Sequence, residues 1–495
     1  MVFLIVDLGT TSCRACLIRE DFTLLAQSRE TVSVSRGFGE VAGAAEIDPE
    51  EALAAVLRTS AAAIESAGGE RPDGVGISAM LGWVFLDGEG RPLRPAMIWA
   101  DSRALGEAKA LAAAIGPEVF YALTGRRLSS ELLLPKLPWL AAHEARTFER
   151  VVKVLSLKDY IVARLTGAFV TDRATASYSG FFDISTLAED PGLLGAVGFR
   201  DGLLPEVLAA TDIAGGASGE AARAAFLPEG MPVIVGSVDG STAMYGSGVL
   251  LDGVAALVSG TTDVLMTACD ERARDSTMAL TVNPAMVDGA FLAGGAMGLA
   301  CGAIDYFSSL LGTKVQDLEE DIASLPFDPD APFALPGLSG ERSPYWEAEA
   351  RGGLFGLGLG HGPAHILRAV MESTCFRIAA LVELLGDSGL APRRIAVSGG
   401  GSRSGAWNRL RADATGVPVQ RVVHDEATVA GTALFLEAAL SGTGLRELSA
   451  ARLRFGERWE PESSLAGAYR GRRREFEALM RSSSMPRHQG KVGLR

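Results

Sequence analysis

The stretch FLIVDLGTTSCRACL, residues 3–17, decides how the rest of the chain is read. An apolar run ends in an acid, Asp7, and then turns through Gly9, Thr10 and Thr11. Such a turn offers backbone N–H groups and hydroxyls to an anion such as a phosphate. The neighbouring carboxylate would repel a bare phosphate, so the pattern makes chemical sense with a divalent cation between them. An ordinary β-hairpin whose turn happens to hold Gly and Thr reads the same way locally.

The same chemistry recurs in AALVSGTTDVLM, residues 255–266, where an apolar strand again meets Gly260, Thr261 and Thr262. Two strand-to-GTT units, about half a chain apart, suggest two similar domains. Each would offer a phosphate-gripping hairpin to one nucleotide in the cleft between them.

A chain of 495 residues exceeds one ordinary core and points to two large domains. With 48% hydrophobic and 21% charged residues, each half can bury a core of its own. A net charge of -14 and the lack of a basic stripe argue against a nucleic-acid partner. An anionic nucleotide must then be held by local donors and a metal ion. Five cysteines, an odd number, suit a reducing cytoplasm. Cys13 and Cys16 form a C-x-x-C, but on a strand side chains three apart point to opposite faces, so packing is the expected role. The start MVFLIVD reads as no targeting segment, and 285–304, with Asp288 and many glycines, as no membrane span.

Along the first half strands alternate with helices. FLIV, Leu24 to Val32, GVGISA and VVKVLSL read as strands; Asp48 to Ala67 and KDYIVARLTG, closed by Gly167, read as helices. The half ends in MPVIVGSVDGSTAMYGSG, a β-rich run that stops at Gly236 to Asp239 and passes into a small-residue helix. The second half predicts strands at 254–259, 264–269 and 394–398 and helices at 361–386 and 427–440. The fold class is α/β with an interdomain cleft. The expected division is 1–245, 246–480, and a disordered tail over 481–495.

RIAVSGGGSRSGAWNRLRADATG, residues 394–416, predicts a strand, a triple-glycine turn and a helix that Ser402 can cap. The glycines would let a flat ligand approach the backbone, supplying an adenosine shelf beside the two phosphate grips. Asp239 ends a buried-looking strand among Gly236, Gly240 and Ser241. It can act as a general base on a substrate hydroxyl, or simply cap the following helix. His361 and His365 have metal-binding spacing but lack a third ligand and read as helix-start and packing residues.

Taken together, these residues resemble the FGGY carbohydrate kinases, a branch of the actin-like ATPase superfamily built from two ribonuclease H-like domains. The resemblance rests on DLGTTSCR, PKLPWL around Lys136 and Trp139, VDGSTAMYGSG, SGTTD, LSGERSPYW and SGGGSRSGAWNRLRAD, in that family's chemistry across nearly the whole chain. GGLFGLGLGHGPAHILRAVME, residues 352–372, is similar to the family's second signature from end to end.

The resemblance implies an ATP- and Mg2+-dependent sugar kinase. Asp7 would position Mg2+ and its waters; Thr10, Thr11 and Arg14 would line the phosphate side of the first hairpin. Gly260 and Thr261 would hold the β- and γ-phosphates, and Gly400, Gly401 and Asn408 would flank adenosine. Asp239 matches the catalytic base. Residues 76–103 resemble the substrate strand pair, with Met80, Leu81, Trp99, Asp101 and Arg103 at contact or supporting positions. Asp101 and Arg103 would bind hydroxyls or pair with each other. Xylulokinase-like members read Gln-Met-His-Gly where this chain has Ala79, Met80, Leu81 and Gly82, so a polar handle is missing.

The resulting expectation is a cytoplasmic kinase of an open-chain ketose, with D-xylulose and xylose metabolism the first choice and gluconate, erythritol or ribulose as alternatives. A small-molecule sugar or polyol is the expected partner, with no nucleic acid, no membrane, and a homodimer as among relatives. A non-catalytic sugar-binding regulator and an actin- or chaperone-like ATPase are the readings from other classes.

Overall fold

The run that opens the chain forms β1 (Val2–Leu8), which turns through Gly9–Thr11 into β2 (Ser12–Arg19) and continues to β3 (Leu24–Thr31). In β1 only Asp7 escapes full burial, because the strand lies mid-sheet with both faces covered. The computed structural model describes residues 1–36, 43–199, 202–424 and 426–483. A helix, α1 (Pro49–Ser66), follows; Asp48 caps it by accepting the Glu50 N–H, and Pro49 fits the first turn, where no N–H is needed. The chain then re-enters the sheet as β4 (Gly74–Ala79), parallel to β1.

A separate five-stranded sheet holds β5 (Gly82–Leu86), β6 (Ala96–Ile98) and β7 (Lys153–Ser156), with two short strands, Ala45–Ile47 and Ser35–Arg36, beyond β6. Between β6 and β7 lies α2 (Leu133–His143), which buries Lys136 and Trp139. After β7, α3 (Leu157–Thr166) starts at a reciprocal capping box of Ser156 and Asp159 and stops at left-handed Gly167. A short helix, α4 (Arg173–Ser177), is capped by Asp172. The first sheet is completed by β8 (Ile213–Gly216), β9 (Pro232–Ile234) and β10 (Ser237–Val238), in the order β8-β9-β4-β1-β2-β3, with β10 also on β4. The helix α5 (Asp239–Gly246) leaves directly from β10.

The second GTT turn joins β11 (Val254–Ser259) to β12 (Thr262–Cys269). They lie in a sheet with β13 (Phe291–Leu299), β14 (Arg394–Ser398), β15 (Val419–Val422) and β16 (Phe455–Trp459), ordered β13-β12-β11-β14-β15-β16. As with β1, the strand entering the turn has its hairpin partner on one side and a parallel strand, β14, on the other. Helices α6 (Cys301–Leu311), α7 (Pro363–Asp387) and α8 (Gly405–Thr415) cover this sheet, and α7 buries most of its length.

The chain forms two compact units. The first holds Met1–Asp252, Thr267–Ala293 and His424–Arg454; the second holds Gly253–Met266, Gly294–Val423 and Phe455–Arg495. The first unit contains the expected first domain, 1–245, and two later segments that the sequence reading did not assign to it. The reason is clearest for α9 (Ala427–Ser441), apolar on every side, which lies against α5. A Cβ on Gly246 would sit 1.9 Å from the Ala427 carbonyl oxygen, and one on Gly431 1.9 Å from that of Thr242. These two glycines let the helix backbones touch. Three residues of the tail expected to be disordered, Arg481–Ser483, end the helix α10 (Ala466–Ser483) instead; the remainder of that tail lies outside the described residues.

Candidate active site

In the first unit, register aligns the candidate catalytic groups. Asp7 on β1 pairs with Arg14 on β2 and with Ser78 on β4, and Ser78 pairs with Ser237 on β10. Asp239 follows two residues later, so Asp7 and Asp239 stand at the carboxyl ends of parallel strands, where open α/β sheets bind ligands. Burial and then the charge of Asp239 push Asp7 up to about 7. Burial likewise raises Asp239, whose carboxylate accepts, among the described residues, the Gly240 N–H alone, at 2.6 Å. Asp239 is the first residue of α5, with Val238 in the cap position, so the alternative reading as a helix cap does not hold.

Beside them, the half-buried Thr10 and exposed Thr11 form the turn. Arg14 comes within 3.9 Å of Asp7 but binds Glu426 at 2.6 Å. The expectation for Arg14 did not include this acid, which lies 412 residues away in sequence.

The substrate segment divides in two. The Met80 N–H donates to Leu8 O at 2.8 Å and the Trp99 N–H to Leu81 O at 2.9 Å, which brings Met80, Leu81 and Trp99 to the same end of the sheet as Asp7. Met80 and Leu81 are buried and Trp99 is 41% exposed. Asp101 and Arg103 pair with each other, one of the two roles expected of them. Asp101 is fully buried, accepts the Ala45 N–H at 3.0 Å and pairs with Arg103 at 2.6 Å; Arg103 also binds Glu46 and lies over the Trp139 ring at 4.5 Å. The neighbouring Lys136 is lowered to about 8 by burial while donating to the carbonyls of Asp101 and Ser130.

In the second unit, Gly260 and Thr261 form the turn, and their carbonyls accept the first N–H groups of α6: Cys301 on Gly260, and Ala300 and Gly302 on Thr261. The triple-glycine turn packs on Ser259, the residue before Gly260. A Cβ on Gly399, at φ +81°, would approach Ser259 O to 2.6 Å, and one on Gly401 would approach Ser259 Oγ to 2.3 Å. Gly400 alone faces open space. Asn408 is fully buried: its amide donates to Ser402 O at 2.8 Å and accepts from Arg411 at 2.8 Å, so it braces the turn. The cap of α8 is Ser404, which accepts the Trp407 N–H, and not Ser402, whose hydroxyl closes the glycine turn onto Gly399 O.

Three further groups escaped the sequence reading. Glu426 lacked any local signal, Asp263 stood in SGTTD without a role, and Lys158-Asp159, a charged pair buried in the helix α3, was visible and unexplained. His361 and His365 each accept a backbone N–H at the start of α7, from Gly358 and Gly362. Among the described residues no group of three or more His, Cys, Asp or Glu side chains is placed to hold a metal, and no helix is long and apolar enough to cross a membrane.

Two carboxylates at strand ends beside a small-residue turn, in a chain with a second such turn, define a phosphotransferase of the sugar-kinase type. The chain belongs to the FGGY family of carbohydrate kinases: the family's N-terminal domain matches residues 2–246 and its C-terminal domain residues 255–440. Such enzymes transfer a phosphoryl group to an alcohol. The chain is 28% identical to a xylulose kinase of Escherichia coli over 96% of its own length and 97% of that protein's. It is 26% identical to a gluconokinase of Bacillus subtilis, covering 82% of each. The crystal structure of xylulose kinase from Rhodospirillum rubrum superposes with a TM-score of 0.88 at 29% identity, covering 97% of this chain and 99% of that one.

Proposed function

We propose that this kinase transfers the γ-phosphoryl group of Mg-ATP to a hydroxyl of an open-chain ketose, with Asp239 as general base and a D-xylulose-like pentulose as first candidate. The observation that carries the reading is the pair Asp7 and Asp239 at the ends of the two strands, β1 and β10, that pair with β4, both carboxyls raised by burial and that of Asp239 accepting, among the described residues, the Gly240 N–H alone. The similarity to a xylulose kinase over nearly the whole chain supports the choice of sugar.

The residues suit Mg-ATP. Asp7 is an oxygen donor raised by burial and by a second carboxylate, a setting that a hard cation relieves. The ion would take Asp7, waters and the phosphates, the usual manner of Mg2+. When bound, it neutralises phosphate charge. Thr10, Thr11 and Arg14 contact phosphate in the first unit. Gly260 and Thr261 do so in the second, where Gly400 supports adenosine. Asp239 accepts the sugar hydroxyl proton as that oxygen bonds to phosphorus and the bond to ADP breaks. Trp99 stacks on the C–H side of the sugar, over the apolar floor of Met80 and Leu81. We place the enzyme in the cytoplasm.

Leu81, apolar where xylulokinase-like members carry His, favours a second reading in which the acceptor is a differently hydroxylated sugar, polyol or sugar acid, such as gluconate. ADP release measured across ketopentoses, ketotetroses, polyols and aldonic acids, with a no-sugar control, decides between them. One strong responder names the acceptor class. ADP release independent of any sugar, or full activity in Asp239→Asn, would defeat the proposal.

A further inference from the structure

The segment that delivers Asp239 is held in an unusual way. The strand β9 ends at Ile234 and β10 spans only Ser237–Val238, so Val235 and Gly236 lie between the strands, outside the ladder pairing. Side chains hold their carbonyls instead. The Lys158 Nζ donates to Val235 O at 3.0 Å and to Gly236 O at 3.3 Å, and the Ser78 hydroxyl donates to Ser237 O at 3.1 Å. The Ser237 hydroxyl in turn donates to Asp172 Oδ2 at 2.7 Å. Lys158 is fully buried and ion-paired to Asp159 at 2.5 Å and to Asp172 at 3.1 Å, themselves buried. Gly236 closes the arrangement: at φ +67° a Cβ there would come 2.1 Å from Ile77 O, so the segment is pressed onto β4.

A buried ion cluster seldom repays its desolvation, and apolar side chains of similar volume stabilise a core as well or better. What apolar side chains cannot do is fix three consecutive carbonyls in place. We infer that Lys158 and Asp172, with Ser237, are positioning residues that set the Asp239 carboxylate for proton abstraction. The inference rests on the reading of Asp239 as base. Asp172 works from two sides: it holds the Lys158 ammonium that grips residues 235 and 236, and it anchors residue 237 directly, while capping α4 through the N–H groups of Ala174 and Thr175.

The test is a kinetic cycle on the full chain, with Asp172→Asn, Ser237→Ala, Asp239→Asn and each of the first two combined with the third. Misplacing a reacting group by about 1 Å costs on the order of 100-fold. Asp172→Asn and Ser237→Ala are therefore expected to lower kcat about 10- to 100-fold while KM for ATP stays within about threefold. In the Asp239→Asn background the same substitutions should change the residual turnover by less than about twofold, because coupled residues are not additive. Equal losses in both backgrounds would show that the cluster acts on stability alone and overturn the inference. So would unchanged kcat in the single variants. Full activity in Asp239→Asn would overturn the base assignment and this inference together, which separates the two failures. If Asp172→Asn does not fold, Ser237→Ala removes no charge and carries the test.

Discussion

Arg14 faces Asp7 across the β1–β2 ladder, yet its guanidinium stands 3.9 Å from Asp7 and 2.6 Å from Glu426. The nearest cation is thus shared with a competing carboxylate, and Asp7 remains raised to about 7 from its ordinary 3.8, by burial first and the Asp239 charge second. The sequence could pair strand with strand through the GTT turn, but could not show which acid Arg14 would meet.

The raised carboxyl makes stability depend on pH. The native state keeps the Asp7 proton to about pH 7, whereas the unfolded chain releases it near 3.8. The native state therefore binds more protons between these values, and stability falls as pH rises through that window, with the full cost present above 7. At about 1.4 kcal/mol per unit the cost reaches a few kcal/mol. Asp7→Asn should remove it: without Mg-ATP the variant melts close to wild type at pH 4–5 and well above it at pH 8, while losing turnover. Parallel melting curves for the two proteins across that range would refute the argument.

A contrast between neighbours tests the substrate segment. Asp101 is buried and paired with Arg103, so Asp101→Ala takes one of two carboxylate partners from a buried cation and leaves the Ala45 N–H without its acceptor, at an expected cost of about 3 kcal/mol in stability. Trp99, 41% exposed, contributes little to the core, so Trp99→Ala should leave melting nearly unchanged and raise KM for the sugar. Thermal melting and sugar KM measured on both variants check this. A stably folded Asp101→Ala with a raised sugar KM would return Asp101 to the pocket.

What the sequence shows, and where it stops, follows from distance along the chain. Both hairpins, the capped start of α1, the Gly167 stop of α3 and the strand entering the glycine turn are local, set by periodicity and turn residues within a few positions. The return of α9 to the first unit is not local. It depends on Gly246 and Gly431, whose shared purpose exists only when the helices meet. The glycines of the triple-glycine turn were visible, but their reason was not: Gly399 and Gly401 are required by Ser259, and Gly400 alone faces outward. Asp101 and Arg103 were visible as a pair of opposite charges, while burial and Glu46, which decide their role, come from another strand.

Beneath the glycine turn, Arg411 is fully buried and donates to Gly401 O at 3.0 Å, to Asn408 Oδ1 at 2.8 Å and to Ser259 Oγ at 2.5 Å, with its guanidinium 4.3 Å from the Trp407 ring. Nearby Asp263 is buried, and burial raises its carboxyl against the opposing charge of Arg411. Arg411→Met would remove the first of two cations, Arg411 and Arg377, that favour the charged form of that carboxyl, and is expected to lower stability by about 1–3 kcal/mol. Adding Asp263→Val removes both charges and should recover most of the loss. Nucleotide binding should not recover with it, because the Gly401 carbonyl and the Asn408 amide still lack their donor. Melting and nucleotide titration on the single and double variants separate the two effects. Wild-type nucleotide affinity in the double variant would show that the turn holds its shape without Arg411, and that its charge serves only to balance Asp263.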